Sequence, residues 1–220
     1  MLKMSTPVIV IAALNEEQYI GQVVREARKY GQVIVVDDGS TDKTASVVKK
    51  NKGLVISHKK NKGKGAAMRT GADYALSLGA DLLVFMDGDS QHEASAIPTF
   101  LKALEKHDIV FGARKRDKNM PFLYRFGNWF LSTCVRVLFG LRIHDSQGGF
   151  RAMTAETYKK IRWESNRYGV ETEMIAHTRT YQLKYTEVPI KTIYIDRYKG
   201  TTPLDGFPIV WNMIKWRFRK

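Results

Sequence analysis

The chain has 220 residues, enough for one large domain, and 44% of them are apolar, as expected for a globular protein with a buried core. The single cysteine, Cys134, excludes an internal disulfide. The formal net charge of +14 points to a polyanionic partner, such as nucleic acid, anionic lipid headgroups or a phosphorylated substrate, unless it serves solubility alone.

The positive charge is concentrated in one stretch of the chain. Between Gly112 and Arg151, eight Lys or Arg residues stand against two acids, Asp117 and Asp145. This concentration favours a surface that faces phosphate. The beginning of the chain, residues 1–8, has one lysine and leads straight into an apolar run, which is not the pattern of a signal peptide.

The first half of the chain alternates short apolar runs with amphipathic stretches. Strands are predicted at 8–12, 33–36, 55–57, 81–86 and 109–112, and helices at 16–29, 42–51 (capped by Ser40 or Thr41), 64–78 and 97–105. This alternation predicts an α/β fold with a mostly parallel central sheet flanked by helices. Four acids, Asp37, Asp38, Asp87 and Asp89, should then share the carboxyl edge of the sheet, where such folds bind ligands.

The second half is less regular. The stretch 122–140 is apolar and aromatic, but only about ten uncharged residues separate Arg125 from Arg136, against the ~20 that span a bilayer. It is therefore either a core helix or a helix lying in the plane of a membrane. A helix at 169–182 and an alternating strand at 184–195 complete the prediction.

The strongest chemical motif is Asp87-Gly88-Asp89, with Gln91 close behind, after an apolar strand. Two carboxylates one residue apart suit a hard divalent cation that is shared with substrate phosphates. Such a cation neutralises a departing diphosphate. Asp and Gly also favour ordinary turns, so this motif alone does not distinguish a metal site from a structural turn.

Two further motifs fit a nucleotide ligand. The adjacent acids Asp37 and Asp38 end a strand, where a carboxylate can accept from a ribose hydroxyl or a base N–H, beyond what capping of the next helix requires. In the loop 61–67 (NKGKGAA), glycines allow close backbone approach, and Lys64 adds charge at a helix N-terminus. A nucleotide-phosphate site and a plain surface loop both explain this loop.

Seven pieces of the sequence, taken in order, resemble the polyprenyl- or dolichyl-phosphate sugar synthase branch of the family 2 glycosyltransferases. The pieces are AALNEE (12–17), VVDDGSTD (35–42), NKGKGAA (61–67), MDGDSQH (86–92), GAR (112–114), RFGN (125–128) and DSQGGFR (145–151). The resemblance covers residue 8 to about residue 197. It implies a GT-A catalytic domain, taken as residues 1–200, and transfer with inversion. Residues 201–220 are predicted from their own pattern to form a basic amphipathic C-terminal helix.

The resemblance also implies roles for individual residues. The nucleoside pocket would be lined by Ala12, Leu14, Glu16, Val36 and Asp38, with Asp37 nearby. Asp87, Asp89 and Gln91 would hold Mg²⁺ or Mn²⁺ and the diphosphate, with Asp89 central to catalysis. Arg114 and Arg125 would grip the acceptor phosphate, and Arg197 the diphosphate side.

The sequence also bears on the identity of the sugar donor and of the acceptor. Ala12 and Leu14 stand where family members commonly have Pro and Tyr, so these two positions leave the identity of the base open. The stretch 120–130 is more similar to UDP-sugar members than to mannosyl ones, which favours UDP-glucose or UDP-GlcNAc over GDP-mannose. A lipid phosphate acceptor is already anionic and needs no base, whereas a saccharide hydroxyl needs one, for which Glu173 is the candidate.

The tail combines aromatic and basic residues on a helical pattern. Phe207, Val210, Trp211, Ile214 and Phe218 fall on one face. This pattern indicates either an interfacial helix at the cytoplasmic face of a membrane or a helix docked on the domain. A non-catalytic nucleic-acid-binding protein would explain the charge of +14 but not the acids at the strand ends, so nucleic acid is not expected as a partner.

Overall fold

The computed structural model of the chain describes residues 6–114, 122–167, 169–191 and 203–218. In the two helices that begin at residues 122 and 203, the side chains are described from residues 127 and 208 onward. Seven strands form one sheet in the order β3-β2-β1-β4-β6-β5-β7. They are β1 (Val8–Ala13), β2 (Gln32–Asp37), β3 (Leu54–Ser57), β4 (Leu82–Asp87), β5 (Ile109–Arg114), β6 (Arg151–Thr154) and β7 (Tyr185–Ile190). All pairings are parallel except those of β6, which is antiparallel to β4 and β5.

Helices cover both faces of this sheet. They are α1 (Ile20–Ala27), α2 (Thr44–Lys50), α3 (Lys64–Ser77), α4 (Ile97–Leu104), α5 (Phe122–Phe139), α6 (Ala155–Ile161), α7 (Val170–Thr180) and α8 (Pro203–Phe218), with a short 3-10 turn at Ala94–Ala96 before α4. The predicted architecture, a mostly parallel sheet between two helical layers, is confirmed.

The continuous apolar strands are explained by burial on both faces. In β1, Val8 and Val10 belong to the core cluster beneath α3, α5, α7 and α8, while Ile9 and Ile11 belong to the cluster beneath α1, α2 and α4. Successive strand residues point to opposite faces, so a strand covered on both sides must be apolar at every position. The sheet is therefore a rigid base for the loops at its carboxyl edge.

Helices α1 and α2 begin later than predicted, because the residues before each helix are hydrogen-bonded in loops. The backbone N–H of Glu16 donates to Thr44 Oγ1 at 2.8 Å, and α1 begins only at Ile20. The predicted caps of α2 were wrong: Asp42 Oδ1 accepts from Thr44 N at 2.9 Å, whereas Ser40 Oγ accepts from Asn15 N at 2.9 Å.

One strand and one helix were not predicted. Strand β6 has four residues and starts with the charged Arg151, and α6 follows it directly, capped by Thr154 Oγ1, which accepts from Thr157 N. The predicted strand at 184–195 ends at Ile190, and residues 192–202 lie outside the described residues.

Helix α8 packs on α5 and α7. Ile209 and Met213 are 1% and 0% exposed and belong to the core cluster shared with α5 and α7. Trp211 and Phe218 are 60% and 75% exposed on the other side of the helix. Within the described residues, no helix has the length and apolar character needed to cross a bilayer.

Candidate active site

The carboxyl ends of β2, β1 and β4 bring the predicted acids to one edge of the sheet. Ala13 of β1 is in register with Asp37, and Ala12 is in register with Asp87. Asp38 and Asp89 follow these strands directly. The shared edge predicted from the βα alternation is thus present.

Asp38 is engaged in holding the neighbouring loop. Its Oδ1 contacts His58 Nδ1 at 2.6 Å and accepts from Lys62 N at 2.9 Å, and its Oδ2 accepts from Gly63 N at 2.7 Å. The residue is 3% exposed. A nucleotide contact by this carboxylate would compete with three internal bonds.

Asp37 has weaker internal bonds than Asp38. It accepts from Ser40 N at 3.0 Å and from Ser57 Oγ at 3.4 Å, and it is 5% exposed. Of the two acids, Asp37 therefore has the carboxylate that a nucleoside could engage at a lower energetic cost.

The other residues predicted to line the nucleoside pocket differ in how deeply they are buried. Leu14 is 37% exposed, Ala12 is half-buried, and Glu16 is buried at the start of the α1 loop. Val36 is fully buried, and Gly71 of α3 packs against it so closely that a Cβ there would lie 3.0 Å from Val36 Cγ2. Val36 is a core residue by its side chain, so a contact of Val36 with a nucleoside would have to involve its backbone.

Lys64 links the glycine loop to the acids. It is the first residue of α3, and its Nζ lies 2.6 Å from Asp87 Oδ1 and 2.9 Å from Glu171 Oε1. Burial alone would lower the pKa of Lys64, but the two carboxylates outweigh it and raise that pKa above its ordinary value. The ammonium is therefore charged and fixed between two anions.

The two aspartates of the D-x-D motif are electrostatically opposed. Although burial alone would raise the pKa of Asp87, Lys64 holds it below its ordinary value. Burial, followed by the charge of Asp87, raises the pKa of Asp89 to about 6. Asp89 Oδ1 accepts from the backbone N–H of Gln91, at the half-buried end of the turn.

This donor set fits a divalent cation that is completed by substrate. Within the described ranges, no three His, Cys, Asp or Glu side chains are arranged to hold a metal by themselves. Mg²⁺ is commonly bound by one or two carboxylates together with substrate phosphates. Burial and the neighbouring charge of Asp87 raise the pKa of Asp89, and a divalent cation between the two carboxylates would offset both effects.

His92 lies against the same aspartate. Its Nε2 is 3.9 Å from Asp87 Oδ2, and its side chain is 5% exposed. Burial lowers the pKa of His92 to about 4, so the ring is neutral at pH 7. Its Nδ1 is buried without a hydrogen-bond partner in the described part of the chain.

Arg114 is already paired with an acid. Its Nε donates to Asp145 Oδ2 at 2.6 Å, and its Nη2 donates to Asp145 Oδ1 at 2.9 Å. Asp145 is 2% exposed. The guanidinium is thereby fixed at the end of β5, so its predicted contact with an acceptor phosphate would be made from a held position.

One arginine of the basic stretch, Arg151, is buried and does not contribute to a phosphate-facing surface. Arg151 is 1% exposed and donates to the carbonyl oxygens of Gly148, Ser146 and Glu171, at 2.6–3.0 Å. Its guanidinium also lies 4.9 Å from the centre of the Phe111 ring. Arg151 therefore holds the loop 145–150 against α7 and does not face a ligand.

Glu173, the candidate base, faces away from the acids. It is 1% exposed, and its two oxygens accept from the backbone N–H groups of Glu164 and Ser165, both at 2.8 Å. Glu171, two residues earlier, is the α7 glutamate that reaches the acids, through Lys64. Residues two apart lie about 200° apart around a helix, so only one of the pair can face the site.

Two predicted arginines cannot be assigned a position. The side chain of Arg125 and the whole of Arg197 lie outside the described residues. The structure adds three residues absent from the predicted site: Glu171, Asp145 and His92. Their signal in the sequence was their place in the motifs ETE, DSQGGFR and MDGDSQH, which does not reveal their partners.

With this geometry established, comparison with known proteins is decisive. Residues 8–189 match the family model described as Glycosyl transferase family 2. The chain belongs to this family. It is 33% identical over 241 residues to the UDP-N-acetylglucosamine–dolichyl-phosphate N-acetylglucosaminyltransferase of Methanococcus voltae, covering 96% of each chain. The predicted resemblance to the polyprenyl-phosphate sugar synthases is confirmed.

Two more comparisons bear on this glycosyltransferase. It is 30% identical to the undecaprenyl-phosphate mannosyltransferase of Micrococcus luteus, covering 88% of this chain and 85% of the relative. The crystal structure of glucosyl-3-phosphoglycerate synthase from Mycobacterium tuberculosis with Mn²⁺, UDP and product superposes with a TM-score of 0.72 at 22% identity, over 96% of this chain and 78% of that one. This superposition confirms the GT-A fold.

Proposed function

We propose that the protein moves a sugar, with inversion, from a nucleoside diphospho-sugar to the phosphate of a polyprenyl or dolichyl phosphate. The observation that carries this proposal is the pair of half-buried carboxylates, Asp87 and Asp89, at the carboxyl edge of a GT-A sheet. Two relatives are named for lipid-phosphate acceptors, and each aligns with this chain over most of its own length. These relatives support the acceptor class.

The donor is UDP-glucose or UDP-GlcNAc in this proposal, with GDP-mannose as the alternative. Asp37, Leu14 and Glu16 would bind the nucleoside near the end of β1. Ala12, which is in register with Asp87, would contribute its backbone beside them. The relative from Methanococcus voltae, named for a UDP-GlcNAc donor, supports the preference, while the Micrococcus luteus relative is named for mannose.

Asp87 and Asp89 would hold Mg²⁺ or Mn²⁺ together with the donor diphosphate, and Gln91 would complete the turn that holds them. When bound, the cation supplies positive charge to the diphosphate leaving group. The chain itself supplies Lys64 beside the same diphosphate position, and Arg197 would add to it. Between Asp89 and Gln91 the backbone turns at Ser90, which has a φ of +61°.

The acceptor side needs cations and no base. A phosphate monoester is an anionic nucleophile, so the protein has to bring two anions together, which is a task of proximity and electrostatics. Arg114, oriented by Asp145, and Arg125 would bind that phosphate, since the planar guanidinium matches phosphate oxygens in pairs. The alternative, a saccharide hydroxyl with Glu173 as base, has less support, because both oxygens of Glu173 accept backbone N–H groups.

The exposed side of α8 would lie on the cytoplasmic face of a membrane. Trp211, Ile214 and Phe218 are exposed beside Lys215 and Arg217. Aromatic residues with cations suit the interface of an anionic bilayer, where each nearby cation contributes about 1 kcal/mol. Residues 201–220 would thus be a membrane-contact element attached to the catalytic domain of residues 1–200.

A donor panel with a short polyprenyl phosphate tests the proposal. UDP-glucose, UDP-GlcNAc and GDP-mannose, each radiolabelled in the sugar, are incubated with protein and Mn²⁺, and the organic phase is counted. We expect label in the organic phase with one UDP-sugar and none without the lipid. Label that instead enters a water-soluble saccharide acceptor would favour the alternative, and no transfer to any acceptor would contradict both.

A further inference from the structure

One ammonium group serves two carboxylates in the candidate site. Lys64 Nζ contacts Asp87 Oδ1 at 2.6 Å and Glu171 Oε1 at 2.9 Å. The three residues come from the start of α3, the end of β4 and the first turn of α7. The side chain of Glu171 is 5% exposed and that of Lys64 is 21% exposed, so both charges are largely removed from water.

This arrangement creates a competition at Asp87. The ammonium occupies the oxygen Oδ1 of a carboxylate that we assign to a divalent cation. A cation binding there must displace Lys64, and a buried ammonium left without a partner is costly. Glu171 is already in contact with Lys64, so the displaced ammonium would keep one anionic partner.

We propose that Glu171 is a positioning residue, which retains Lys64 when a divalent cation takes the place of the ammonium on Asp87. In the metal-free protein Lys64 is the resident counter-ion of Asp87, and Glu171 lowers the cost of its exchange for metal. This inference rests on the metal site of the proposed function. It adds a residue that touches neither the cation nor the substrate.

The neighbouring Glu173 shows that a buried glutamate on α7 need not have this role. It is as deeply buried as Glu171, but it accepts from Glu164 N and Ser165 N. Glu173→Gln is therefore a matched control: it removes the same charge from the same helix, and it loses a bond that supports the fold.

The test is a Mn²⁺ titration of the intact protein without donor, followed by electron paramagnetic resonance of the free ion. Wild type, Glu171→Gln, Lys64→Met and the double variant are compared. We expect Glu171→Gln to weaken Mn²⁺ binding about tenfold, equivalent to about 1.4 kcal/mol. Lys64→Met should bind Mn²⁺ more tightly than wild type, because the competitor for Asp87 is gone.

The double variant separates this exchange from a direct effect of charge. If Glu171 acts through Lys64, its substitution changes little in the Lys64→Met background, and the two effects are non-additive. If Glu171 acts on the metal by simple attraction, it weakens binding by the same factor in both backgrounds, and the inference is overturned. Glu173→Gln should lower the Tm and leave the Mn²⁺ affinity within about twofold of wild type.

A second variant covers failure of Glu171→Gln to fold. Glu171→Asp keeps the charge but withdraws it from Lys64, and should weaken Mn²⁺ binding by a smaller factor. An unchanged affinity in a folded Glu171→Asp protein counts against the exchange.

The inference and the proposed function fail in different ways. Mn²⁺ binding with the expected double-variant pattern, but no sugar transfer to any acceptor, leaves the exchange intact and removes the proposed function. Sugar transfer with additive variants removes the exchange alone. A wild-type protein that binds no Mn²⁺ overturns the exchange.

Discussion

At the scale of single residues, the unequal pKa values of two neighbouring aspartates are the feature on which the proposed site depends. Although burial alone would raise the pKa of Asp87, Lys64 holds it below its ordinary value, while burial and the charge of Asp87 raise the pKa of Asp89 to about 6. A divalent cation would stabilise the ionised form of both carboxylates. The role that we propose for this site is therefore to bind a cation together with a diphosphate.

Asp89→Asn should lower the rate of sugar transfer by about 10²–10³-fold, because it removes one of the two carboxylates that stabilise the charge on the leaving group through the cation. The measurement is the initial rate with saturating donor and Mn²⁺. Asp81→Asn is the matched control, since Asp81 is exposed just before the opposite end of β4. Equal rates for the two variants would contradict the role of Asp89.

The pair of Asp145 with Arg114 makes a prediction about stability and pH. Burial alone would raise the pKa of Asp145, but the charge and hydrogen bonds of Arg114 hold it below its ordinary value. A depressed pKa means that ionised Asp145 stabilises the fold above the unfolded-state pKa of about 4, and that this contribution is lost as the pH falls through the folded-state pKa.

Asp145→Asn should therefore cost about 3–5 kcal/mol of unfolding free energy at pH 7, because it leaves Arg114 partly buried without its anion. The difference from wild type should shrink below pH 4. Urea denaturation at pH 7 and at pH 3 measures both values. A difference that is the same at the two pH values would show that the ion pair does not stabilise the fold.

Residue roles were only partly predictable from the sequence. The acids at the strand ends were predicted from the sequence, because the position of a strand along the chain determines which residues lie at its carboxyl end. Arg151 was counted with the basic surface, although it is buried and holds three carbonyl oxygens. Composition reports charge but not burial, and the carbonyls that receive Arg151 are brought together only by the fold.

At the scale of elements, α8 has two faces with different partners. Ile209 and Met213 pack into the core, while Trp211 and Phe218 are exposed. The sequence pattern placed Trp211 and Phe218 on one face correctly. It could not decide between membrane contact and docking, because both use apolar surface. Among the described residues, the helix packs on the domain by one side, and Trp211 and Phe218 on the other side are exposed.

Trp211→Ser with Phe218→Ser should reduce binding to vesicles that contain anionic lipid by at least about tenfold, because two exposed aromatic side chains lose their interfacial contact. The Tm should change little, since neither residue is buried. Met213→Ala, at a buried position on the same helix, should lower the Tm and retain vesicle binding. Co-sedimentation with vesicles measures the first effect, and full binding by the double variant would make α8 a packing element only.

The packing of α3 on the sheet depends on a glycine. A Cβ at position 71 would lie 2.4 Å from Val10 Cγ1, within a buried layer that cannot move freely. Gly71→Ala should therefore destabilise the fold by about 1–3 kcal/mol. Gly127 of α5 has no atom of the described residues within 4 Å of such a Cβ, so Gly127→Ala should stabilise the fold by up to about 1 kcal/mol. Chemical denaturation compares the two, and the same sign for both would contradict this packing.

Element prediction succeeded where burial on both faces left a clear signal. The strands β1, β2 and β4 are continuous apolar runs and were located within one residue at most boundaries. Strand β6 has only four residues and begins with a charge, so no local pattern distinguishes it from a loop. Its antiparallel pairing with β4 and β5 comes from long-range contacts alone.

At the scale of the whole molecule, the ordered motifs predicted the family and the fold, and both are confirmed. The net charge of +14 predicted a polyanionic partner in general terms. The distribution of this charge over the surface could not be predicted, because some residues of the basic stretch form internal ion pairs or are buried. What the motifs do not fix is which side chains contact each other at the site, as the Lys64 bridge shows.

The central claim is that Asp87 and Asp89 bind a divalent cation that takes the donor diphosphate. Calorimetric titration of UDP into the protein, with Mn²⁺ and then with EDTA, tests it most directly. We predict that UDP binds at least about tenfold more tightly with Mn²⁺ and that Asp89→Asn abolishes this gain. UDP affinity that is the same with Mn²⁺ and with EDTA would contradict the claim.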